Sequence, residues 1–152
     1  KKNYIEPKEL EKKLDDGEDV YLLDTRNNYE INIGSFKNSK NLNILKFDEF
    51  AEKAEELKDI DAEVVMFCTG GIRCEKALGY LSESGIDSFK QLKGGIINYL
   101  NETEGKHWDG ECFVFDDRIT LDKELNPTYK KLCPKCQQVI NAFDRTKCEV
   151  CR

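Results

Sequence analysis

The chain lacks several features that define common functional classes. It has one histidine, His107, in 152 residues, so it cannot build the facial triad of two histidines and one carboxylate that holds non-haem iron. No apolar stretch reaches the roughly 18 residues of a membrane span, and no signal-peptide pattern is visible. We also find no low-complexity tract and no internal repeat. These absences favour a soluble chain with one domain and a small appendage.

Cysteine, by contrast, is abundant, with seven residues in the chain. Secreted proteins place such numbers of cysteines in disulfides. Here the count is odd, and four of the seven form two C-x-x-C pairs, which is a metal-binding pattern. We therefore expect free or metal-bound thiols and a cytoplasmic location.

Charge is distributed unevenly along the chain. Residues 1–128 hold 18 Lys/Arg and 28 Asp/Glu, a balance of −10, whereas residues 129–152 hold 6 Lys/Arg and 2 Asp/Glu, a balance of +4. Together they give the net charge of −6. Because phosphate contacts dominate nucleic-acid affinity, the acidic first part is expected to bind nucleic acid poorly by itself.

The most informative stretch runs from residue 64 to residue 81. An apolar segment rich in β-branched residues ends in Cys68, two glycines and Arg73 follow, and a helix-compatible run comes next. This order predicts a strand, a tight loop and the N-terminus of a helix. Such an N-terminus presents unpaired N–H groups and positive partial charge, which stabilise a thiolate. The sequence therefore indicates a nucleophilic cysteine at Cys68.

The residues between Cys68 and Arg73 complete this predicted site. Gly70 and Gly71 let the backbone curl, so that N–H groups of residues 69–73 converge on one anionic sulfur. Arg73 adds forked donors for an oxyanion. We take Cys68 and Arg73 as catalytic candidates. The binding-loop candidates are Thr69, Gly70, Gly71 and Ile72. The alternative for Cys68 is a buried strand-end cysteine of the core.

Strand and helix signals alternate over the first hundred residues. The predicted helices cover residues 7–17, 47–57, 73–84 and 94–100, and the predicted strands cover residues 20–23, 63–67 and 89–92. This alternation predicts an α/β fold with a parallel sheet covered by helices on both faces. Ligand sites in such sheets lie at the carboxyl ends of the strands, where Asp24 and Cys68 both fall. Asp24 and Arg26 are candidates to position the loop or contact substrate, and we favour structural hydrogen bonding.

The loop Cys68-x-x-Gly71-x-Arg73 resembles the active-site loop of rhodanese domains, in which the cysteine takes up a sulfane sulfur and becomes a persulfide. Phosphatases of related fold have one residue more between cysteine and arginine, which widens the loop for phosphate. Four residues lie between Cys68 and Arg73 here. The resemblance therefore favours sulfur chemistry over phosphate chemistry.

Further segments resemble the rhodanese-type tRNA uridine hydroxylases, which convert a wobble uridine to 5-hydroxyuridine. The segments are Asp24–Glu30, Gly34–Lys37, Phe47–Phe50, Cys68–Ala77, Gly94–Ile96 and Trp108–Asp116. The resemblance implies a rhodanese-like fold, tRNA as partner, and oxygen-dependent hydroxylation through a persulfide on Cys68. Those proteins usually have an additional N-terminal ferredoxin-like domain. This chain starts at Lys1 without one, so we expect a fragment or short relative that needs that domain to bind tRNA.

Two alternative functions stay open. Hydroxylation needs oxygen and electrons, but no flavin, haem or nucleotide cofactor pattern is evident, so the hydroxylase interpretation rests on resemblance alone. The first alternative is a thiosulfate-type sulfurtransferase that uses a small sulfur donor. The second is a non-enzymatic rhodanese-fold module that binds RNA or protein through its C-terminal tail.

The C-terminal tail contains the two C-x-x-C pairs. Their cysteines are Cys133, Cys136, Cys148 and Cys151. Two such pairs at this separation predict one tetrahedral zinc site with four thiolates, which is closed to water and therefore structural. A segment this short cannot bury enough surface to fold alone, so the metal is expected to supply its folding energy. We divide the chain into a rhodanese domain (1–105), a connector (106–128) and a zinc module (129–152).

For three further residues with reactive side chains we favour structural roles over catalytic ones. One role for Cys74 is to resolve an oxidised Cys68, but we favour a small core residue. Cys112 is expected in the core. His107 is expected on the surface or in the connector rather than in catalysis.

Overall fold

The computed structural model of the chain describes residues 3–41, 47–83, 85–114, 120–128, 130–132 and 139–141. Within these ranges the helices are α1 (Pro7–Asp15), α2 (Asn28–Ile31), α3 (Phe47–Leu57), α4 (Ile72–Glu83) and α5 (Gly95–Glu102). The strands are β1 (Tyr4–Ile5), β2 (Val20–Asp24), β3 (Gly34–Phe36), β4 (Lys40–Asn41), β5 (Glu63–Phe67), β6 (Lys90–Leu92), β7 (Trp108–Gly110), β8 (Cys112–Phe113), β9 (Thr120–Leu121), β10 (Lys130–Leu132) and β11 (Val139–Asn141).

Five strands form one parallel sheet in the order β1-β6-β5-β2-β4. The central strands β2 and β5 are mostly apolar, as parallel strands covered on both faces require. Asp24 at the end of β2 lies opposite Phe67 at the end of β5. This register brings Asp24 beside the residue that precedes Cys68, so the two predicted site positions meet at the carboxyl edge of the sheet.

Helices cover both faces of this sheet. On one face, α1 and α5 bury Leu10, Ile96 and Tyr99 against the strands. On the other face, α3 and α4 bury Phe50 and Leu81. The predicted α/β architecture, with a parallel sheet between two helical layers, is confirmed.

A short antiparallel pairing between β3 and β7 was not predicted. The sequence pattern predicts no strand between residues 24 and 46, but β3 lies there, and its Gly34 pairs with Gly110. A Cβ on Gly34 would lie 2.1 Å from the carbonyl oxygen of Glu111, so this close approach requires glycine. A strand of three residues is too short to leave the alternating pattern that reveals strands in sequence.

The predicted connector packs into the core where the structure describes it. Trp108 and Cys112 are fully buried, and the Trp108 ring meets the Phe36 ring edge-on at a centroid distance of 5.1 Å. Cys112 also begins β8, which pairs with β9. Residues 106–114 therefore extend the folded unit past the predicted boundary at residue 105.

The tail is described only in part. Strands β10 and β11 form an antiparallel pair in which Lys131 lies opposite Ile140. The predicted zinc ligands lie outside the described residues. They are Cys133, Cys136, Cys148 and Cys151. In the part of the chain that the structure describes, no helix is long and apolar enough to cross a membrane.

Candidate active site

The loop that joins β5 to α4 is anchored by the start of α5. The N–H groups of Ile96 and Ile97 donate to the carbonyl oxygens of Cys68 and Thr69 at 2.9 and 3.1 Å. Gly95 makes this contact possible, because a Cβ there would lie 2.5 Å from the Thr69 carbonyl oxygen. Gly95 also has φ +70°, a conformation that favours glycine. The first free N–H groups of α5 are thus used to hold the loop backbone.

The two loop glycines differ in what they do. Gly71 has φ +94°, and its N–H donates to Cys68 Sγ at 3.1 Å. Its carbonyl oxygen accepts a hydrogen bond of 2.7 Å from the Gln91 side-chain amide, which fixes the peptide plane. Gly70 is exposed and has open space where a Cβ would lie. The predicted curl of the loop therefore depends on Gly71 rather than on Gly70.

The surroundings of Cys68 stabilise its thiolate form. A hydrogen bond from the Cys74 thiol has the largest effect, and the N–H groups of Cys74 and Gly71 and the positive charge of Arg73 act in the same direction. Burial of Cys68 opposes them. The outcome is that the pKa of Cys68 falls from 9.0 to about 6, so the sulfur is mainly anionic at neutral pH. The Cys74 thiol keeps its proton, because that hydrogen bond and burial raise the pKa of Cys74 well above its ordinary value.

Arg73 forms a bidentate ion pair with Glu30, a residue that the sequence analysis did not single out. Arg73 Nη1 and Nη2 donate to the two Glu30 carboxylate oxygens at 2.8 and 2.9 Å. The Glu30 side chain is fully buried, whereas 35% of the Arg73 side chain is exposed. This pairing raises the pKa of Arg73 above its ordinary value, although burial acts against it. Arg73 therefore presents a fixed positive charge to solvent beside the loop.

The position of Glu30 is set by the start of α2. The N–H of Asn27 donates to Glu30 Oε2 at 3.0 Å, which forms half of a capping box across residues 27–30. This Asn-x-x-Glu spacing was the available sequence signal. It predicts a helix start but not a partner, because Glu30 meets Arg73 from 43 residues away along the chain.

Asp24 and Arg26 lie beneath the site rather than at its surface. Arg26 Nε and Nη2 donate to the two Asp24 carboxylate oxygens at 2.9 and 2.8 Å. Nη2 also donates to the Gly34 carbonyl oxygen at 2.7 Å, and the Ser35 hydroxyl donates to Asp24 Oδ2 at 2.8 Å. The Arg26 guanidinium lies 5.4 Å from the centre of the Trp108 ring. Both side chains are buried, and they connect the main sheet to β3.

The structure brings most of the predicted site together and separates His107 from it. Cys68, Arg73 and the loop residues are contiguous, and Cys74 contacts Cys68. His107 Nε2 lies 2.8 Å from Asp15 Oδ1 at the C-terminal end of α1. Cys112 is buried, and desolvation raises its pKa to about 12. Among the described cysteines, therefore, only Cys68 is mainly a thiolate near neutral pH.

The arrangement is suited to attack on an electron-poor sulfur. It combines a thiolate, an N–H donor already directed at that thiolate, and a partly exposed guanidinium for an anionic donor or product. Ile72 in the same loop is 79% exposed and adds an apolar surface next to Arg73. A thiolate that forms near neutral pH needs no general base, which is consistent with the distance of His107 from the loop.

Comparison with known proteins identifies the family of the chain. Residues 6–102 match the rhodanese-like domain family. The chain is 44% identical over 149 residues to a tRNA uridine(34) hydroxylase of Synechococcus elongatus, covering 95% of this chain and 55% of that protein. It is 46% identical over 147 residues to the tRNA uridine(34) hydroxylase of a Picosynechococcus strain, covering 94% and 49%. The chain thus spans about half the length of these curated relatives.

Solved structures share the fold. A rhodanese-related protein of Thermoplasma volcanium is 27% identical with a TM-score of 0.53, covering 66% of this chain and 92% of that one. A thiosulfate sulfurtransferase of Pseudomonas aeruginosa is 21% identical with a TM-score of 0.58, covering 72% and 20%. The fold, the geometry of the cysteine loop and the match over residues 6–102 agree, and the chain belongs to the rhodanese-like domain family.

Proposed function

We propose that this chain is the rhodanese-like part of a tRNA uridine hydroxylase, in which Cys68 forms a persulfide during oxygen-dependent hydroxylation of a wobble uridine to 5-hydroxyuridine. The observation that supports this most directly is the activated Cys68, with the Gly71 N–H at 3.1 Å and a pKa of about 6. The 44% identity to a tRNA uridine(34) hydroxylase over 95% of the chain supports the choice of reaction.

The persulfide forms by displacement at sulfur. The Cys68 thiolate attacks the outer sulfur of a sulfane donor such as thiosulfate. The bond between that sulfur and the sulfonate group breaks, sulfite leaves with the electron pair, and Cys68 carries an anionic outer sulfur. The N–H groups of the loop stabilise that charge, and Arg73 binds the sulfonate end of the donor.

The persulfide accounts for only part of the reaction, because hydroxylation also consumes oxygen and electrons. We assign tRNA binding largely to the part of the full-length protein that lies outside this chain. Residues 1–128 carry a balance of −10, and phosphate contacts provide most nucleic-acid affinity. The chain alone is therefore expected to bind tRNA weakly and to hydroxylate it poorly. Submicromolar binding at physiological salt by these 152 residues would contradict this assignment.

The experiment that tests the function uses the full-length protein in a strain that lacks it. Wild-type protein is expected to restore 5-hydroxyuridine in tRNA, measured by mass spectrometry of digested tRNA, and Cys68→Ser is expected to restore none. Cys112→Ala is the matched control, because it removes a buried thiol whose pKa of about 12 makes it inert. Normal modification by Cys68→Ser would refute the proposed role of Cys68.

A thiosulfate-type sulfurtransferase is the second candidate, because the parts needed for persulfide formation all lie within this chain. Cys68, Gly71 and the one-third exposed Arg73 make a complete donor site without any other domain. Steady-state release of sulfite from thiosulfate with cyanide as acceptor measures this activity. Fast turnover by the chain, together with no restoration of 5-hydroxyuridine by the wild-type full-length protein, would favour it over the hydroxylase.

We also propose one structural zinc ion in the tail, bound by the thiolates of Cys133, Cys136, Cys148 and Cys151. The support is their spacing, together with the β10–β11 hairpin, whose two strands flank the first cysteine pair in the sequence. Thiolate ligands and free thiols both fit a reducing compartment, so we propose a cytoplasmic location. Metal analysis after dialysis is expected to find about one zinc per chain.

A further inference from the structure

Cys74 is held against the nucleophile by two separate contacts. It is the third residue of α4, where backbone N–H groups have no partner within the helix. It is buried in the same core cluster as Cys68, and its hydrogen bonds lower the pKa of Cys68. Its sulfur also lies 3.5 Å from the Thr25 hydroxyl oxygen. Cys74 is fully buried, so its orientation towards Cys68 is fixed by packing.

The hydrogen bonds around Thr25 determine where the Cys74 proton lies. The Thr25 hydroxyl donates its one proton to the Phe67 carbonyl oxygen at 3.0 Å. Towards Cys74 it can therefore act only as an acceptor. The Cys74 thiol thus faces two acceptors, the Cys68 sulfur and the Thr25 oxygen, and its single proton can be donated to either one. A core cysteine that only fills space has no need of either contact.

We propose that Cys74 is the resolving thiol of the Cys68 persulfide. This inference rests on the persulfide step of the proposed function. The Cys74 sulfur attacks the inner sulfur, Cys68 Sγ, and forms a disulfide between the two cysteines. The bond from Cys68 Sγ to the outer sulfur breaks, and the outer sulfur leaves with the electron pair and takes the Cys74 proton, so that hydrosulfide is released.

This step balances without an external oxidant. The sulfane sulfur is the oxidant. It is reduced to hydrosulfide, and the two cysteine sulfurs are oxidised to the disulfide. The Cys74 thiol supplies its proton to the leaving sulfur, so no separate acid is needed. The enzyme then regains two free thiols when a thiol reductant opens the disulfide. Cys74 thereby limits the lifetime of a persulfide that finds no acceptor.

The test uses the chain, thiosulfate as the sulfur donor, and trypsin. Arg73 separates the two cysteines, so trypsin places Cys68 in the peptide 59–73 and Cys74 in the peptide 74–76. Wild-type protein treated with thiosulfate, alkylated and digested without reduction is expected to yield these two peptides joined by a disulfide. One hydrosulfide and one sulfite are expected for each disulfide formed, measured by trapping both anions with a fluorescent alkylating reagent.

Variants separate resolution from persulfide formation. Cys74→Ser and Cys74→Ala are expected to stop at a stable persulfide on Cys68, with sulfite released and hydrosulfide at the level of a protein-free control. Cys112→Ala is expected to resolve as the wild type does. Circular dichroism checks that each variant is folded. The disulfide-linked peptide of the wild type tests the inference even if a variant does not fold.

Three results would overturn the inference, and they are distinguishable. A wild-type persulfide that persists without hydrosulfide release, or a disulfide that joins Cys68 to a cysteine other than Cys74, would show that Cys74 does not resolve it while leaving the persulfide step intact. No sulfur uptake by the wild type or by either Cys74 variant would refute the persulfide step as well.

Discussion

Two arginines near the cysteine loop form the same kind of bidentate pair with a carboxylate, but at different depths. Arg26 and Asp24 are both shielded from solvent, with 0% and 1% of their side chains exposed. In the other pair, Glu30 is fully buried and Arg73 keeps 35% of its side chain exposed. Both pairs have hydrogen bonds of 2.8–2.9 Å, so their geometry alone does not distinguish them.

The difference in exposure assigns the two pairs to different roles. The Arg26 pair also binds the Gly34 carbonyl and the Ser35 hydroxyl, so it connects β2 to β3. In the Arg73 pair, the Glu30 carboxylate is buried and the Arg73 guanidinium is partly exposed to solvent. The ion pair fixes the orientation of this guanidinium, and solvent still reaches it. This combination suits recognition of an anion. The same residue types thus build a buried support in one place and a partly exposed positive charge in the other.

The largest effect expected from this comparison is on stability. Arg26→Ala leaves the Asp24 carboxylate buried without its partner, which is expected to cost about 3–5 kcal/mol of the free energy of unfolding. Arg73→Ala is expected to cost clearly less, because water can replace a side chain that is one-third exposed. Urea denaturation of both variants measures the difference. An equal or larger loss for Arg73→Ala would mean that both pairs are mainly structural.

The next effect is on sulfur transfer. Arg73→Lys keeps the charge but loses the fork of donors, so kcat/KM for sulfite release from thiosulfate is expected to fall about tenfold with little change in stability. Arg73→Gln, which also removes the charge, is expected to lose more. If Arg73→Lys matches the wild type, the role of Arg73 is a point charge and the bidentate geometry is unimportant for the donor.

A smaller effect concerns the pH dependence of Cys68. Its rate of alkylation is expected to rise with pH around a midpoint near 6, the pKa at which the thiolate forms. Cys74→Ala is expected to move this midpoint upward more than Arg73→Lys does, because the Cys74 thiol is the strongest influence on the pKa. A midpoint near 9 in the wild type would show that the thiolate is not stabilised.

The same pKa has a consequence for stability. Since the pKa of Cys68 is lower in the folded protein than its ordinary value of 9.0, the thiolate favours folding. This contribution is fully present above pH 9, diminishes as the pH falls towards 6, and is lost below 6. Cys68→Ser is expected to remove this pH dependence, which urea denaturation at several pH values would show.

The smallest effect is expected from removing metal. Chelation should disorder the tail but leave the urea midpoint of the rhodanese-like unit and the alkylation midpoint of Cys68 unchanged, because both arginine pairs lie within a core built by residues 3–114. Tryptophan fluorescence follows that core, since Trp108 is fully buried in it. A shift of either midpoint on chelation would show that the tail supports the site.

Much of the site was predictable because it is local in sequence. The strand that ends at Cys68, the turn at Gly71 and the helix that begins at Ile72 follow one another, and their signals depend on neighbours along the chain. Hydrophobic pattern likewise predicted the parallel sheet, because central strands such as β2 and β5 must be apolar on both faces. The packing of Trp108 into the core was not predictable, because strands as short as β7 leave no periodic pattern.

The sequence by itself determined Cys68, the loop that follows it and the cysteine pairs of the tail, since each depends on the spacing of residues that are close along the chain. Tertiary structure alone decided the partners. It joined Arg73 to Glu30, turned the Asp24–Arg26 pair into a buried support, and placed the Thr25 hydroxyl beside the Cys74 thiol. The physical reason is that a side chain's charge and proton depend on burial and on contacts from distant strands, which no local pattern specifies.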